Sequence, residues 1–147
     1  MIKNERYMIR NDSERLTLED MCARLPYKPV VSFYLFTIGK SKQTILRSIN
    51  PTEGTYRIGN QDYDDFSRIK LYLRPLSNMT ADEKKTWSRI LNGADSGDIF
   101  DHIMLSHISI ESIGEAIDFL NSHYFDYRGL IGKGLAMEAP EGMYLLQ

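Results

Sequence analysis

Between residues 68 and 74 the chain reads Arg-Ile-Lys-Leu-Tyr-Leu-Arg, and a period of two with an apolar residue at every second place belongs to a strand with one dry and one wet face. The pattern predicts that Ile69, Leu71 and Leu73 face the core while Lys70, Tyr72 and Arg74 face outward. Upstream, the segment 30–38 is Val-Val-Ser-Phe-Tyr-Leu-Phe-Thr-Ile, β-branched, aromatic, uncharged and too short for a helix, which predicts a central strand. Residues 39–42 turn it, 43–49 form a second strand, 50–54 a turn, 55–58 a third strand and 59–65 a third loop. Strands at about ten-residue spacing with short turns predict an antiparallel meander of about four strands, with a small, partly open barrel as its curled form.

The helical period appears on either side of these strands. Residues 1–15 show no period and mixed charge, and are expected to be a loose arm. Thr17 with Asp20 approximates a capping box, Leu16 and Met21 sit at hydrophobic-staple positions, and Leu18, Met21, Cys22 and Leu25 follow helical spacing. Pro26 ends that helix at Leu25. After Pro75, Thr80-Ala81-Asp82-Glu83 is a clean capping box, and Trp87, Ile90 and Leu91 make a narrow stripe expected to lie on the sheet through Trp87, with Asn92-Gly93 as the stop. Residues 94–111 fit a helix capped by Ser96 better than a strand. Ser112 with Glu115 is a further capping box, and Ala116, Ile117, Leu120 and Tyr124 share one face of the helix it opens. Asp126 is placed to cap a short turn over 127–133 stopped by Gly134, and Pro140 and Gly142 mark an irregular tail. The expected fold class is α+β: one domain over 1–147 with a short N-terminal helix, the meander, and helices in the C-terminal half.

Composition narrows the setting. A chain of 147 residues fits one domain that buries roughly 70% of its unfolded surface. The lone Cys22 cannot form an internal disulfide and falls at an apolar helical position, which points to a small buried hydrophobe in a reducing, cytoplasmic setting. Neither a signal-type apolar run at the N-terminus nor an apolar stretch of about 18 residues occurs, so no membrane partner is expected. The net charge of −2 conceals two halves of opposite sign: residues 1–89 hold sixteen Lys or Arg against eleven Asp or Glu, a net of +5, and residues 90–147 hold two against nine, a net of −7. The halves can complement one another, or the positive one can meet an anionic partner.

Candidate chemistry is thin. Asp98, Asp101 and His102 lack the third ligand and second shell of a metal site. The run Asn60-x-Asp62-x-Asp64 opens like a calcium loop, but Asp65 stands where its glycine is needed and Leu71 where its bidentate glutamate is needed. Gly129, Gly132 and Gly134 reverse the order of a dinucleotide fingerprint, and no serine lies in a nucleophile elbow. The reading is therefore a non-enzymatic protein with no catalytic residue, no metal and no cofactor. Two binding roles remain. Tyr124, Phe125, Tyr127 and Arg128 are residue types enriched in interface hot spots; Tyr124 continues the stripe of Ile113, Ile117 and Leu120 and is assigned to the core, leaving Phe125, Tyr127 and Arg128 as candidate contacts for a protein partner, host or self. As the alternative, cations alternating with aromatics along the strands would contact nucleic acid through Lys42, Arg47, Arg57, Lys70, Tyr72 and Arg74, although such cations are also ordinary strand surface.

Two dense segments, 71–80 (Leu-Tyr-Leu-Arg-Pro-Leu-Ser-Asn-Met-Thr) and the tail from Phe119 to Tyr144, resemble those of a set of short proteins from Bacteroides-type gut bacteria, their phages and mobile elements. The shared order is a Leu-Thr-Leu-Glu-Asp helix leading to Leu-Pro-Tyr, here Leu16 to Tyr27, then a Leu-Arg-Pro-Leu-Ser strand end and a closing Asp-Tyr-Arg-Gly-Leu-Ile segment. Residues 30–66 and 92–111 depart from it. The resemblance implies an accessory protein of a phage or mobile element acting by protein–protein interaction; the family carries no assigned activity, and no site residue comes with it.

Overall fold

A computed structural model describes residues 11–92 and 110–144. The Asp98, Asp101 and His102 group, residues 94–109 of the expected helix, and residues 1–10 of the expected arm lie outside the described residues. The fold is α+β, as expected: helix α1 (Asp12–Arg24), strands β1 (Val30–Leu35), β2 (Lys40–Ile45), β3 (Ser48–Asn50), β4 (Thr55–Ile58), β5 (Gln61–Tyr63) and β6 (Ile69–Leu73), helices α2 (Ala81–Asn92) and α3 (Ile110–Ser122), and β7 (Ala136–Glu138).

The strands form two sheets rather than one meander, a four-stranded sheet in the order β2-β1-β6-β7 and a three-stranded sheet β3-β4-β5. The expected strand over 43–49 divides after Ile45 because Leu46 turns fully inward, its N–H donating to the Pro29 carbonyl at 2.9 Å. The chain then crosses to the second sheet. The expected loop 59–65 holds a hairpin instead: Ile58 pairs with Gln61, and Gly59 at φ 61° supplies the left-handed conformation such a two-residue turn demands. The tail, expected to be irregular, supplies β7, which runs parallel to β6 with Leu71 opposite Ala136.

Strand β6 buries Ile69, Leu71 and Leu73 and exposes Lys70, as the alternation predicts. Tyr72 is a correction. It is buried beside Gln43, whose amide donates to its hydroxyl at 3.4 Å, and opposite Met137 of β7.

The expected helices are present, but only the Thr80 and Glu83 capping box opens one of them; Thr17 lies inside α1, where its hydroxyl donates to the Ser13 carbonyl, Ser112 lies inside α3, and the buried faces partly differ. Helix α1 starts at Asp12, capped by Asn11, whose side chain accepts from Glu14 N–H at 2.8 Å; residues 12–15 are thus helix rather than arm. Its buried stripe is Thr17, Asp20, Met21 and Arg24, one residue back from the expected Leu18, Met21, Cys22 and Leu25. Arg24 inside the protein meets a carboxylate and a carbonyl that an apolar stripe would leave unsatisfied. Helix α2 carries the predicted capping box, with Glu83 N–H donating to Thr80 Oγ1 at 3.1 Å and Thr80 N–H to Glu83 Oε1 at 2.9 Å. Its Trp87 packs on Phe119 of α3, at 5.9 Å between ring centroids, and not on the sheet. Helix α3 starts at Ile110, ahead of Ser112, and buries Ala116, Phe119, Leu120 and Asn121. Ile113 and Ile117 of the expected stripe are exposed. Two apolar clusters result, one between the sheets and α1 around Val31, Phe33, Tyr56 and Leu71, the other between α2 and α3 around Phe119 and Phe125.

Candidate protein-interaction site

The segment after α3 is an internal clasp. Tyr124 takes φ 62°, the left-handed position after a helix usually held by glycine. Phe125 N–H donates to Leu120 O at 2.9 Å and Tyr124 N–H to Asn121 O at 3.2 Å, which together close the helix end. The strain of a tyrosine there is offset by its ring, stacked on Tyr144 at 3.7 Å, and by its hydroxyl, which donates to the Tyr27 carbonyl. Tyr144 carries the contact on into the sheet. Its hydroxyl accepts from Val30 N–H at 2.9 Å and donates to Tyr72 O at 2.9 Å, occupying the next rung beyond the Val31 and Leu71 pair. Burial pushes the Tyr144 hydroxyl pKa well up.

The residues expected to meet a partner belong to this clasp. Phe125 is fully buried beneath the Arg74 guanidinium at 4.3 Å, so its place is in the core and not on a contact surface. Tyr127 is partly buried; its hydroxyl donates to Asn121 Oδ1 at 2.9 Å and its ring lies 5.1 Å from the Arg24 guanidinium. Arg128 donates to Glu19 at 2.8 Å and lies 3.8 Å from the buried Asp20 carboxylate. Burial would lower its pKa, but the Glu19 and Asp20 carboxylates outweigh that and raise it. Beneath them, Arg24 is wholly buried, paired with Asp20 and donating to the Phe125 carbonyl.

The candidate nucleic-acid residues do not share a face. Opposed residues of neighbouring strands project to the same side, so Lys42, opposite Phe33, lies on the core side of its sheet, whereas Lys70, opposite Ser32, lies on the other. Arg57 belongs to the second sheet and is paired with Asp62 at 2.9 Å; Arg47 is exposed on the connector from β2 to β3. Tyr72 is buried, and Arg74 grips Glu83 with two bonds of 2.8 Å. An open cleft of about 580 Å³ beside Arg74, Thr80, Glu138 and Tyr144 is rimmed by these same committed groups. Among the described residues no cluster of three or more His, Cys, Asp or Glu could hold a metal, and no helix is long and apolar enough to cross a membrane.

What is presented outward is the end of the β1–β2 hairpin. Phe36 and Ile38 are 67% and 61% exposed, with Tyr34 beside them on β1. Arg68 holds this end in place: it donates to the Tyr34 carbonyl at 2.9 and 3.1 Å while its guanidinium lies 4.4 Å from the Phe36 ring, 4.5 Å from Phe33 and 4.9 Å from Tyr63. Tyr34 meets Phe36 edge to face at 5.3 Å. Strand β2, at the end of the strand order, adds exposed Lys40 and Lys42. Sequence reasoning missed this surface because it read 30–38 as one buried strand. The available signal was the apolar run continuing up to Gly39, where residues of a turn are normally polar. Comparisons of the chain with protein-family models, with curated proteins and with solved structures return no match.

Proposed function

We propose that this chain is a non-enzymatic protein-binding module whose contact surface is the end of the β1–β2 hairpin, and that its partner offers an apolar patch bordered by carboxylates. One observation carries the reading: Phe36 and Ile38 stay exposed although Arg68 fixes the loop that bears them. Rigid exposed aromatics lose little conformational entropy on docking and are common anchors of protein interfaces. Lys40 and Lys42 on the adjoining outer strand disfavour pairing with a second β2 and favour an acidic surface. The role as an accessory protein of a phage or mobile element of Bacteroides-type bacteria is supported by the resemblance of the 16–27, 71–80 and 119–144 segments alone.

The test is affinity capture from a lysate of such a host, to which a differently tagged copy of the chain has been added, with and without nuclease, using the wild-type chain and the double variant Phe36→Asp, Ile38→Asp. The expected result is a protein, the second copy included, that survives nuclease and is lost with the double variant while the melting temperature holds. Recovery unaffected by the double variant would refute the hairpin as the surface. Recovery abolished by nuclease would return the positive residues to nucleic acid.

A further inference from the structure

Helix α3 carries a second apolar stripe, one that no described residue covers. Ile110, Ile113 and Ile117 are 88%, 42% and 43% exposed, and their spacing of three and four places them on one face. On the edge of the stripe, four residues after Ile110 and three before Ile117, is Gly114, a helix-interior glycine, which is less stable there than alanine. Among the described residues nothing beyond its own helix backbone and chain neighbours lies within 4 Å of where its Cβ would stand, so none of them requires its smallness. What it leaves is a notch at that edge of the stripe. The charges on this helix are all of one sign, Glu111, Glu115 and Asp118, each exposed.

We infer that the occupant of this stripe is the β1–β2 hairpin of a second copy of the chain, with Phe36 seated in the notch over Gly114. This rests on the reading of the hairpin as a docking surface and names its partner. Charge decides among the pairings of two copies. Stripe against stripe brings Glu111 and Asp118, on the helix face along one edge of the isoleucines, near their own counterparts, and hairpin against hairpin does the same with Lys40 and Lys42. Hairpin against stripe alone brings opposite charges together around two apolar centres. Within one copy both surfaces are exposed, so they do not cover each other. The contact is head to tail, and each association leaves one hairpin and one stripe available, so growth continues into a chain or closes as a ring. Three isoleucines and a few hairpin side chains make a contact smaller than the roughly 1,200 Å² of a standard interface. Association is therefore expected to be weak, concentration-dependent and reduced by salt.

Sedimentation velocity and light scattering of the full chain, from roughly micromolar to millimolar concentration, test this. Wild type is expected to gain mass with concentration beyond a dimer. Phe36→Asp, with an intact stripe, and Ile113→Asp, with an intact hairpin, are each expected to be monomeric alone and to form a one-to-one dimer that grows no further when mixed. Gly114→Ala is expected to raise the melting temperature and yet weaken association several-fold, a combination that a purely structural role for this glycine would not give. A wild type that is monomeric throughout would overturn the inference, leaving the hairpin reading to the capture experiment. Either aspartate variant assembling like wild type, a mixture that stays monomeric, or Gly114→Ala assembling as well as wild type would also overturn it.

Discussion

Replacing Glu83 by Gln is expected to remove about 2–3 kcal/mol of stability at neutral pH and almost none in strong acid. The Glu83 carboxylate is buried against Arg74, with Oε1 accepting from Nη2 and Oε2 from Nη1 at 2.8 Å each, while Oε1 also accepts from Thr80 N–H at 2.9 Å. Burial alone would raise its pKa; the hydrogen bonds from Arg74 and Thr80 and the Arg74 charge outweigh it and bring the carboxyl from 4.5 to about 2. That gap, at about 1.4 kcal/mol per pH unit, corresponds to roughly 3 kcal/mol. Water at the neighbouring cleft trims it toward about 2. Glutamine keeps the shape and the capping contact to Thr80, but its amide NH2 stands opposite the Arg74 Nη1 donor where Oε2 accepted, so the charge and one hydrogen bond are lost together, as they are when the acid is protonated there.

Because the folded pKa lies below the unfolded one, the unfolded chain binds this proton first as pH falls. The stabilisation is fully present above about pH 4.5 and is lost progressively down to about pH 2. Urea titrations of wild type and Glu83→Gln at a series of pH values should give a constant difference from pH 7 to about 5 that closes toward pH 2. Other acidic groups titrate in both proteins and cancel in the difference. A gap unchanged between pH 7 and about 2.5, or no gap at pH 7, would refute the assignment of the low pKa to this pair.

Two further stability predictions concern the clasp. Tyr144→Phe keeps the ring on Tyr124 but leaves Val30 N–H and Tyr72 O without the hydroxyl that joins them, and is expected to cost about 1–3 kcal/mol in a urea titration; an unchanged midpoint would show that another group or water closes that rung. Arg24→Ala leaves the buried Asp20 carboxylate facing only the more distant Arg128, at 3.8 Å, and is expected to cost about 3–5 kcal/mol, whereas the pair Asp20→Asn with Arg24→Met should be milder. A double variant as unstable as the single one would contradict that.

Local chemistry disclosed some elements and misplaced others: Thr17 with Asp20 and Ser112 with Glu115 have capping-box spacing but lie inside α1 and α3. The Thr80 and Glu83 box requires only four consecutive residues, and the dry face of β6 only an alternation, and both are as expected. Local chemistry failed where a distant group decides. The face that α1 buries depends on the Phe125 carbonyl, 101 residues from Arg24, and nothing within 12–24 announces it. The division of the 43–49 segment depends on Pro29, and β7 on having β6 beside it, because a three-residue strand has no period of its own. The hot-spot composition of Phe125, Tyr127 and Arg128 was legible, but composition does not say whether such residues face a partner or their own domain. Here Phe125 is turned into the core, Tyr127 is half-buried over Arg24, and Arg128 stays exposed while paired with Glu19.

The arginines explain why the positive half of the chain gives so little cationic surface. Arg24, Arg68 and Arg74 each donate to a main-chain carbonyl, of Phe125, Tyr34 and His123 respectively, and each lies over an aromatic ring. A guanidinium suits this task because it stays charged when buried, offers donors in several directions and stacks flat on a ring, whereas a lysine ammonium does none of these at once. These three therefore act as ties between segments distant in sequence, and they contribute little field outside the protein. Discounting them, and Arg57 with its Asp62 partner, leaves exposed cations of the strand region that include Lys40 and Lys42 next to the exposed hairpin end, Arg47 beyond the far end of β2, and Lys70 on the opposite sheet face. The same substitution of roles makes Arg68 the decisive residue of the proposed surface: it spends its charge inward, on Tyr34 and three rings, and in doing so holds Phe36 outward where a partner can reach it.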